Sequence, residues 1–553
     1  MKKTALGISI GHDRGAAIIQ NGTLIGAIAQ ERLDRVKHST CSSIPFESID
    51  CLLKYLCINI DDIDCIGFSG AELENDLYMN FLLKKFYEYY HCSEKVSYRI
   101  DHHQSHAEAV FSASKFDEAL ILIADGGGDY IGSQAEAESM FVGKNSNITL
   151  VNGRKQSPII RHMSDPCNHL YPCMPELIRN RQLSLSRKYE QITYLLGFGW
   201  GQAGKTMGLA SYGKPLIQYC NNADANFDYK IYSKDILDDL YSLELLSGKS
   251  HFEFIKENGP DIASTMQVYT ENIIIHLINS LVATYHQRNL CLGGGLFLNC
   301  LLNHKILEHC SIDNLFIFPA CGDEGQAIGN AFAAYKKQFG STKFNVIIPY
   351  LGISYSNEEI EKSLKSKNLS YKYCSDKELI SKMAELIADN KIIGFHRGRT
   401  EIGPRALCHR SIFANPANPQ MKDILNSKVK HREYFRPFAP VVTAERQYDI
   451  FDLKKESPYM LLATTVKDKY RKKIPSVTHV DNTARVQSVS YEQEPFIHSL
   501  LIALEKEIGV PVVLNTSFNV AGEPIVESPN DAIQTFLKTE IDVLVIGNYI
   551  VTK

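Results

Sequence analysis

The chain of 553 residues lacks several features that define whole classes of protein. Its 14 cysteines include no Cys-x-x-Cys pair, which argues against zinc ribbons and thioredoxin-type sites. No run of 18 apolar residues is present, so we predict no membrane span. The N-terminus runs directly into a strand pattern and lacks the apolar core of a signal peptide. We therefore expect a cytoplasmic protein with reduced thiols.

An excess of positive charge is also missing. The formal net charge is -4 and the isoelectric point is about 6.5. This balance gives no general attraction to nucleic acid, so we predict no nucleic-acid partner. The hydrophobic content of 44% and charged content of 22% are typical of globular proteins, and the length predicts more than one domain.

A pair of histidines is the most informative feature that is present. His102 and His106 lie four residues apart in a segment without Pro or Gly, so a helix would place both on one face. Asp125 follows the apolar run 119–124 and begins a glycine turn. Two histidines and a carboxylate at a strand tip can bind a divalent metal. An exposed, histidine-rich helix start explains the pair alone equally well.

Glycine turns recur between apolar segments. The turn 11–15 and the turn 125–129 each join two predicted strands, which indicates a duplicated architecture whose turn amides can bind phosphate. Gly293 to Gly295 follow another strand. Residues without side chains are needed there if a ligand approaches the backbone closely, and equally if a neighbouring segment packs tightly against it. Asp323 lies on a Gly-Asp-Glu-Gly turn. This position suits two alternative roles for its carboxylate, as a metal ligand or as a helix N-cap.

Basic loops dominate the second half, after a connector at 341–355. The first is a Gly/Pro loop around residues 396–407, which we expect to lead into a helix. The candidate basic side chains are Arg405, Lys430, Arg436 and Arg485. Arginine forks match phosphate oxygens, so these loops favour a small phosphorylated ligand over a solvated basic face. Asn515 and Ser517 end an apolar run, as ligand-facing residues or as turn formers.

Taken in order, these segments resemble the O-carbamoyltransferase family that includes the nodulation-factor and antibiotic carbamoyltransferases. The matching segments begin with Gly11-His12-Asp13, Glu31-Arg32, His102-x-x-x-His106, Asp125-Gly126 and the stretch from Gly204-Lys205-Thr206 to Gly213. They continue with Gly293-Gly294-Gly295, Gly322-Asp323-Glu324-Gly325, Gly403-Pro404-Arg405, Phe435-Arg436-Pro437, Thr478-His479-Val480-Asp481 and Asn515-Thr516-Ser517. Each segment is weak alone, but the ordered set is specific and spans nearly the whole chain.

The resemblance implies an α/β protein of two domains. Residues 1–345 would form an actin-like carbamoyl-transfer domain similar to the tRNA threonylcarbamoyl transferases. Residues 346–553 would form an α/β domain similar to threonylcarbamoyl-AMP synthase. The implied activity consumes carbamoyl phosphate and ATP with Mg²⁺ to form carbamoyl-adenylate. The carbamoyl group then passes to a hydroxyl of a sugar or secondary metabolite. The acceptor itself, and association into a homodimer, stay open.

The resemblance also implies roles for individual residues. His12 would be the general base, and His102, His106, Asp125 and Asp323 would bind a divalent metal, by resemblance iron. The adenylate would contact Lys205, Gly208, Gly293, Gly294, Gly295 and Asn299. Carbamoyl phosphate would contact Arg405, Lys430, Arg436 and Arg485, and Asn515 and Ser517 are candidates for binding ATP in the C-terminal domain.

Departures from the family pattern leave room for other functions. Arg14 follows Asp13 where relatives carry a small residue, Cys408-His409-Arg410 replaces a common Gly-Asn-Arg, and the segment 167–187 matches poorly. One alternative is a fused tRNA threonylcarbamoylation enzyme, which the acidic balance disfavours. A second is a non-catalytic actin-like nucleotide-binding module. A hydrogenase-maturation carbamoyltransferase would carry Cys-x-x-Cys zinc fingers, which this chain lacks.

Overall fold

The computed structural model describes residues 2–70, 76–131, 134–156, 183–218, 236–346 and 349–553. Most of the segment 167–187, singled out above as unlike the family, lies outside the described residues. Within the described part of the chain, no helix has the length and apolar character needed to cross a membrane.

The strands of the described residues make up three sheets. In chain order the strands are β1 Thr4–Ser9, β2 Gly15–Gln20, β3 Thr23–Ala29, β4 Cys65–Ser69, β5 Val96–Arg99, β6 Glu118–Ala124, β7 Tyr130–Ile131, β8 Gln134–Lys144, β9 Asn147–Gln156, β10 Asn289–Gly293, β11 Asn314–Ile317, β12 Asn345–Val346, β13 Tyr371–Tyr373, β14 Ile393–His396, β15 Arg410–Ala414, β16 Ala439–Thr443, β17 Leu462–Thr465, β18 Thr483–Val489, β19 Val512–Ser517, β20 Val543–Ile546 and β21 Tyr549–Thr552.

Helices connect and cover these strands. The described α-helices are Glu31–Asp34, Phe46–Leu56, Asp76–Tyr90, His102–Ala113, Leu185–Leu195, Ala203–Ala210, Ile236–Ser247, His251–Tyr285, Cys300–His309, Gln326–Phe339, Asn357–Ser366, Asp376–Ala388, Met421–Leu425, Ala444–Ile450, Asp468–Arg471, Pro495–Ile508 and Pro529–Lys538.

The first two sheets share one topology. In the first, β1 pairs antiparallel with β2, β2 antiparallel with β3, and β4 and β5 extend parallel to β1. In the second, β6, β8, β9, β10 and β11 repeat these relationships in the same order. The duplicated architecture predicted from the glycine turns is therefore confirmed.

Two helices, His102–Ala113 and Gln326–Phe339, fill the space between these sheets and share one apolar core with both. The approach is so close that a Cβ on Gly7 of β1 would lie 2.0 Å from the backbone oxygen of Ala327. Asn330 donates its amide to the Ile8 carbonyl at 2.8 Å and to Ser69 at 2.7 Å. The helix that follows Asp323 is thus fixed against the strand that precedes His12.

The strands of the second half of the chain form a mixed sheet of nine strands, in the order β13-β21-β20-β14-β15-β19-β16-β18-β17. The interior strand β19 is apolar on both faces: Val513 packs with the helices Asp376–Ala388 and Pro495–Ile508, whereas Val512 and Leu514 face the opposite core. Such double burial explains its continuous apolar run. The predicted domain boundary at residues 345 and 346 stays a prediction; β12 ends at Val346 and pairs with β3.

One local prediction was wrong. The Gly/Pro loop that carries Arg405 leads into strand β15, not into a helix. Oε1 of the buried Glu401 accepts hydrogen bonds from the amides of Leu407, His409 and Arg410 at 2.7, 3.3 and 3.2 Å. The Glu401 side chain is therefore the hydrogen-bond acceptor for these amides, and β15, which begins at Arg410, pairs antiparallel with β14.

A buried ion pair holds the helix Leu185–Leu195 to the second sheet. Glu138, fully buried, accepts from Arg154 at 2.8 Å and from the Leu185 amide at 2.7 Å. We expect Glu138→Ala to lower the free energy of unfolding by about 3 kcal/mol, because it removes the fully buried carboxylate that accepts from both the Arg154 guanidinium and the Leu185 amide. Urea unfolding measures this. The matched control is Glu118→Ala in the same sheet, whose exposed pair with Lys144 is worth under about 1 kcal/mol. Equal losses in both variants would contradict the expectation.

Candidate active site

The four predicted metal ligands converge on one point. One side-chain ligand atom from each of His102, His106, Asp125 and Asp323 lies within 4.8 Å of the others. Nε2 of His102 is 3.3 Å from both carboxylates, and Nε2 of His106 is 3.3 Å from Asp323 and 3.9 Å from Asp125. The arrangement needs three elements: the helix His102–Ala113, the tip of β6 and the turn before Gln326–Phe339.

Neighbouring polar groups hold these side chains in place. The Asp129 carboxylate accepts from the His102 amide at 3.1 Å, and Gln326 donates to the His102 carbonyl at 3.1 Å. Asp125 accepts from the Gly295 amide through Oδ1 at 2.8 Å, which leaves Oδ2 facing the histidines. The helix start and the strand tip are therefore both fixed.

The residues fit a divalent cation. Two carboxylates and two neutral imidazoles carry a charge that a divalent ion balances. Nε2 of His106 and Oδ1 of Asp323 are buried and have no hydrogen-bond partner among the described residues, although they lie 3.3 Å apart. Burial opposes a charge on His102, yet Asp323 and Asp125 raise its pKa well above the usual value. The site attracts positive charge, as a metal centre does.

The structure does not place Asp323 at a helix N-cap. The N-cap of the short 3-10 turn Asp323–Gly325 is Gly322, and that of the helix Gln326–Phe339 is Gly325. His103, between the two ligands in sequence, lies outside the cluster and bonds Ser139 through Nδ1 at 2.7 Å. Burial lowers the pKa of His103 to about 3, so its ring is neutral.

His12 lies beside the cluster, on the turn between β1 and β2. Its Nδ1 is 2.7 Å from Asp13 and 3.9 Å from Asp323, and its ring stacks on His38 at 5.1 Å. Nδ1 of His38 bonds the other oxygen of Asp13 at 2.9 Å. Burial lowers the pKa of His12, but the hydrogen bond to Asp13 and the carboxylates of Asp13, Asp323 and Asp125 outweigh it and raise the pKa to about 9. Nε2 of His12 is the ring nitrogen left for a reactant.

A second group of side chains is cationic. Arg405, Arg432, Arg436 and Arg485 lie close enough to influence one another's charge. Burial, followed by the charge of Arg405, lowers the pKa of Arg485 to about 9. Nε of Arg405 and Nε of Arg485 are buried without a hydrogen-bond partner among the described residues. Crowded cations with unused donors fit an anion.

Lys430 has a different environment from these arginines. Its ammonium donates to Ser517 and Asn519 at distances of 2.6 to 3.2 Å. Burial, and the charges of Arg432 and Arg436, lower its pKa well below the usual value. Lys430 thus braces the end of β19. Asn515, on the same strand, donates to the Ala406 carbonyl at 3.0 Å.

The predicted adenylate contacts divide into two groups. Lys205, Gly295 and Asn299 line a cavity, with Lys205 paired to Glu433 at 2.7 Å. Gly208, Gly293 and Gly294 lie in packing contacts outside its lining: a Cβ on Gly294 would meet the Ala124 oxygen at 2.3 Å. The tight-packing alternative thus explains Gly293 and Gly294.

One cavity of about 1430 Å³ joins the histidine-carboxylate cluster to the cationic group. The two groups come from separate parts of the sequence, residues 102–323 and 405–485. The walls are lined by His102, Asp125 and Asp323 from the first group and by all four arginines of the second. Residues that sequence reasoning missed also line it, namely Asp13, Lys37, His38, Arg432 and Glu433. Arg432 lies within a basic run of the sequence and could have been predicted as an anion-binding residue on that basis. Nothing in the sequence marked Lys37, whose pKa burial and Arg436 lower.

A cavity that joins a metal-type centre to an anion-binding group suits a group-transfer enzyme. Models of the carbamoyltransferase N-terminus and C-terminus match residues 69–332 and 384–553. Nodulation protein NolNO of Sinorhizobium fredii is 32% identical over 98% of this chain and 79% of that protein. An uncharacterized protein of Synechocystis sp. is 33% identical, covering 98% of this chain and 95% of its own. The chain belongs to the carbamoyltransferase family.

Among solved structures, HypF of T. kodakarensis matches with a TM-score of 0.43 and 15% identity, covering 62% of this chain and 48% of that one.

Proposed function

We propose that the protein is an ATP-dependent O-carbamoyltransferase that moves the carbamoyl group of carbamoyl phosphate, through carbamoyl-adenylate, to a hydroxyl of a sugar or secondary metabolite. The observation that carries this proposal is the single cavity lined by both the cationic group and the metal-type centre. The reaction that activates the carbamoyl group acts on polyanions and therefore needs the cationic group. The transfer of that group to an alcohol needs the metal-type centre.

The activating half-reaction uses the cationic group. Water releases inorganic phosphate from carbamoyl phosphate and leaves carbamate. A carbamate oxygen then attacks the α-phosphorus of ATP, and pyrophosphate leaves. Arg405 and Arg485, with their unused Nε donors, bind the phosphate oxygens, and Arg436 adds charge. Lys430, held by Ser517 and Asn519, keeps the end of β19 in place for ATP and its Mg²⁺ near Asn515 and Ser517.

The transfer half-reaction uses the first domain. Lys205 and Asn299 contact the adenylate. A divalent metal, iron by family resemblance, supplies Lewis acidity to the carbamoyl oxygen when His102, His106, Asp125 and Asp323 hold it. The charge of that cation would offset the carboxylates of Asp323 and Asp125 that raise the pKa of His12, so the ring would be neutral. Neutral His12 takes the hydroxyl proton as the new C–O bond forms and the bond between the carbamoyl carbon and AMP breaks. Asp13 holds Nδ1 of His12, so Nε2 accepts that proton.

Arg485→Ala tests the activating half. We expect pyrophosphate release from ATP and carbamoyl phosphate to fall about 100-fold or more, because two charge-assisted hydrogen bonds are lost. Transfer from supplied carbamoyl-AMP should continue, since its ligands lie in the first domain. Pyrophosphate release and acceptor carbamoylation, followed separately, measure the two effects.

Arg471→Ala is the matched control for that variant. Arg471 belongs to the same half, but it pairs with Asp468 at 2.7 Å and lies outside the cavity lining. It should leave both reactions unchanged. Loss of both reactions in Arg485→Ala to the same degree would refute the division of labour, and loss of neither would remove Arg485 from the site.

A further inference from the structure

The one tryptophan of the sequence lies at the cavity wall. Trp200 is 43% exposed and lines the cavity together with Arg187 and Gly201. Large aromatic rings are normally buried more deeply, and the mechanism above gives Trp200 no role. An exposed aromatic ring on a cavity wall is typical of ligand contact.

The loop that carries this ring has a fixed shape. Gly197, Gly199 and Gly201 have φ angles of 81°, 80° and 70°. A Cβ on Gly197 or Gly199 would touch nothing within 4 Å, so these glycines serve the left-handed backbone and not close packing. These left-handed glycines alternate with the two aromatic residues of the loop. The ring of Phe198 packs against Phe435, at 5.6 Å between ring centroids, whereas Trp200 lies at the cavity.

Trp200 is supported on one side. The guanidinium carbon of Arg187 lies 4.4 Å from the centroid of its ring, a cation-π stack. Arg187 is in the first turn of the helix Leu185–Leu195, where its amide bonds the N-cap Ser184 at 3.1 Å. The Gly201 amide donates to the Glu190 carboxylate on the same helix. Helix and loop thus hold the ring as one unit.

The ring is also close to the proposed base. A Cβ on Gly201, the next residue, would lie 3.5 Å from Nε2 of His38. His38 stacks on His12 at 5.1 Å. Trp200 therefore borders the His12 side of the cavity, where the hydroxyl that His12 deprotonates must lie. The nucleotide contact Asn299 is on a separate element, and the Lys205 ammonium lies 5.8 Å from the centroid of Phe198, the ring of this loop that packs against Phe435.

We infer that Trp200, backed by Arg187, is the acceptor subsite and that it binds a pyranose-type ring by stacking on its C–H face. This inference rests on the proposed function and narrows its acceptor class to a ring with a flat apolar face. An acyclic alcohol would gain nothing from such a surface.

Fluorescence of the wild-type protein tests binding directly, because its only tryptophan is Trp200. Methyl glucoside, chitotriose and kanamycin are titrated against emission excited beyond tyrosine absorption, with glycerol and AMP as comparison probes. We expect at least one glycoside to quench or shift the emission at a concentration where AMP and glycerol do not. An AMP response at equal or lower concentration, or no response to any glycoside, overturns the inference.

Variants of the same residue test catalysis. Mass spectrometry follows carbamoylation of the same four alcohols. Trp200→Ala should raise the KM for a carbamoylated glycoside about 10- to 100-fold, as loss of an aromatic stack does, with a smaller effect on kcat. Trp200→Phe should restore most of the affinity. The control is Phe252→Ala, which removes an equally apolar ring that is 75% exposed and outside the cavity lining.

The outcomes of these experiments distinguish failure of the stacking subsite from failure of the proposed function. A wild-type protein that releases no pyrophosphate from ATP and carbamoyl phosphate refutes the proposed function. A protein that releases pyrophosphate but carbamoylates glycerol as well as any glycoside, or no glycoside at all, refutes the ring-stacking subsite alone. An unchanged KM in Trp200→Ala does the same.

Discussion

Replacing His106 by alanine is expected to remove the metal and to lower carbamoyl transfer from supplied carbamoyl-AMP by at least about 100-fold. Loss of even an outer contact of a metal ligand lowers affinity or activity 10- to 100-fold, and His106 would be a direct ligand. Its Nε2 is buried 3.3 Å from Asp323 and has no hydrogen-bond partner among the described residues. Elemental analysis of the purified protein gives the metal content independently of activity.

His103→Ala is the matched control for that experiment. His103 is on the same helix and equally buried, yet it bonds Ser139 and not the carboxylates. Both variants lose one buried imidazole, so their losses of stability should be alike. Only His106→Ala should lose metal. Full metal content in His106→Ala, or equal metal loss in both variants, would contradict the assignment of the centre.

The repeated sheet was predictable because its signals are local. The apolar run 119–124 and the glycine turn after it are properties of adjacent residues, and they became strand β6 and the turn that begins at Asp125. The helix His102–Ala113 likewise follows from a segment without Pro or Gly. The spacing of His102 and His106 then places both imidazoles on one face.

Other features depend on contacts that no local pattern encodes. The loop before β15 looked like a helix start, but the buried Glu401 satisfies its amides, and this contact exists only in the folded protein. Lys37 and His38 come from a segment without a motif and reach the cavity through the fold. The spacing of residues in the sequence likewise did not indicate that the arginines and the histidine-carboxylate cluster would line one cavity.

His12→Asn should lower carbamoyl transfer by about 10²–10⁴-fold while pyrophosphate release from ATP and carbamoyl phosphate stays nearly intact. A positioned general base contributes a factor of this size. Asparagine can keep a hydrogen bond to Asp13, which holds Nδ1 of His12 at 2.7 Å, but it offers no basic nitrogen in place of Nε2. The activating arginines lie in the other half of the chain and lose no contact.

His38→Asn separates the base from its support. His38 stacks on His12 and shares Asp13 with it, but its own Nε2 is buried, so a smaller loss of transfer is expected. Both variants are assayed with supplied carbamoyl-AMP, which bypasses activation. If His12→Asn lost both half-reactions equally, His12 would serve the architecture of the cavity and not the transfer of a proton. If His38→Asn lost as much transfer as His12→Asn, proton transfer would have to be assigned to the pair.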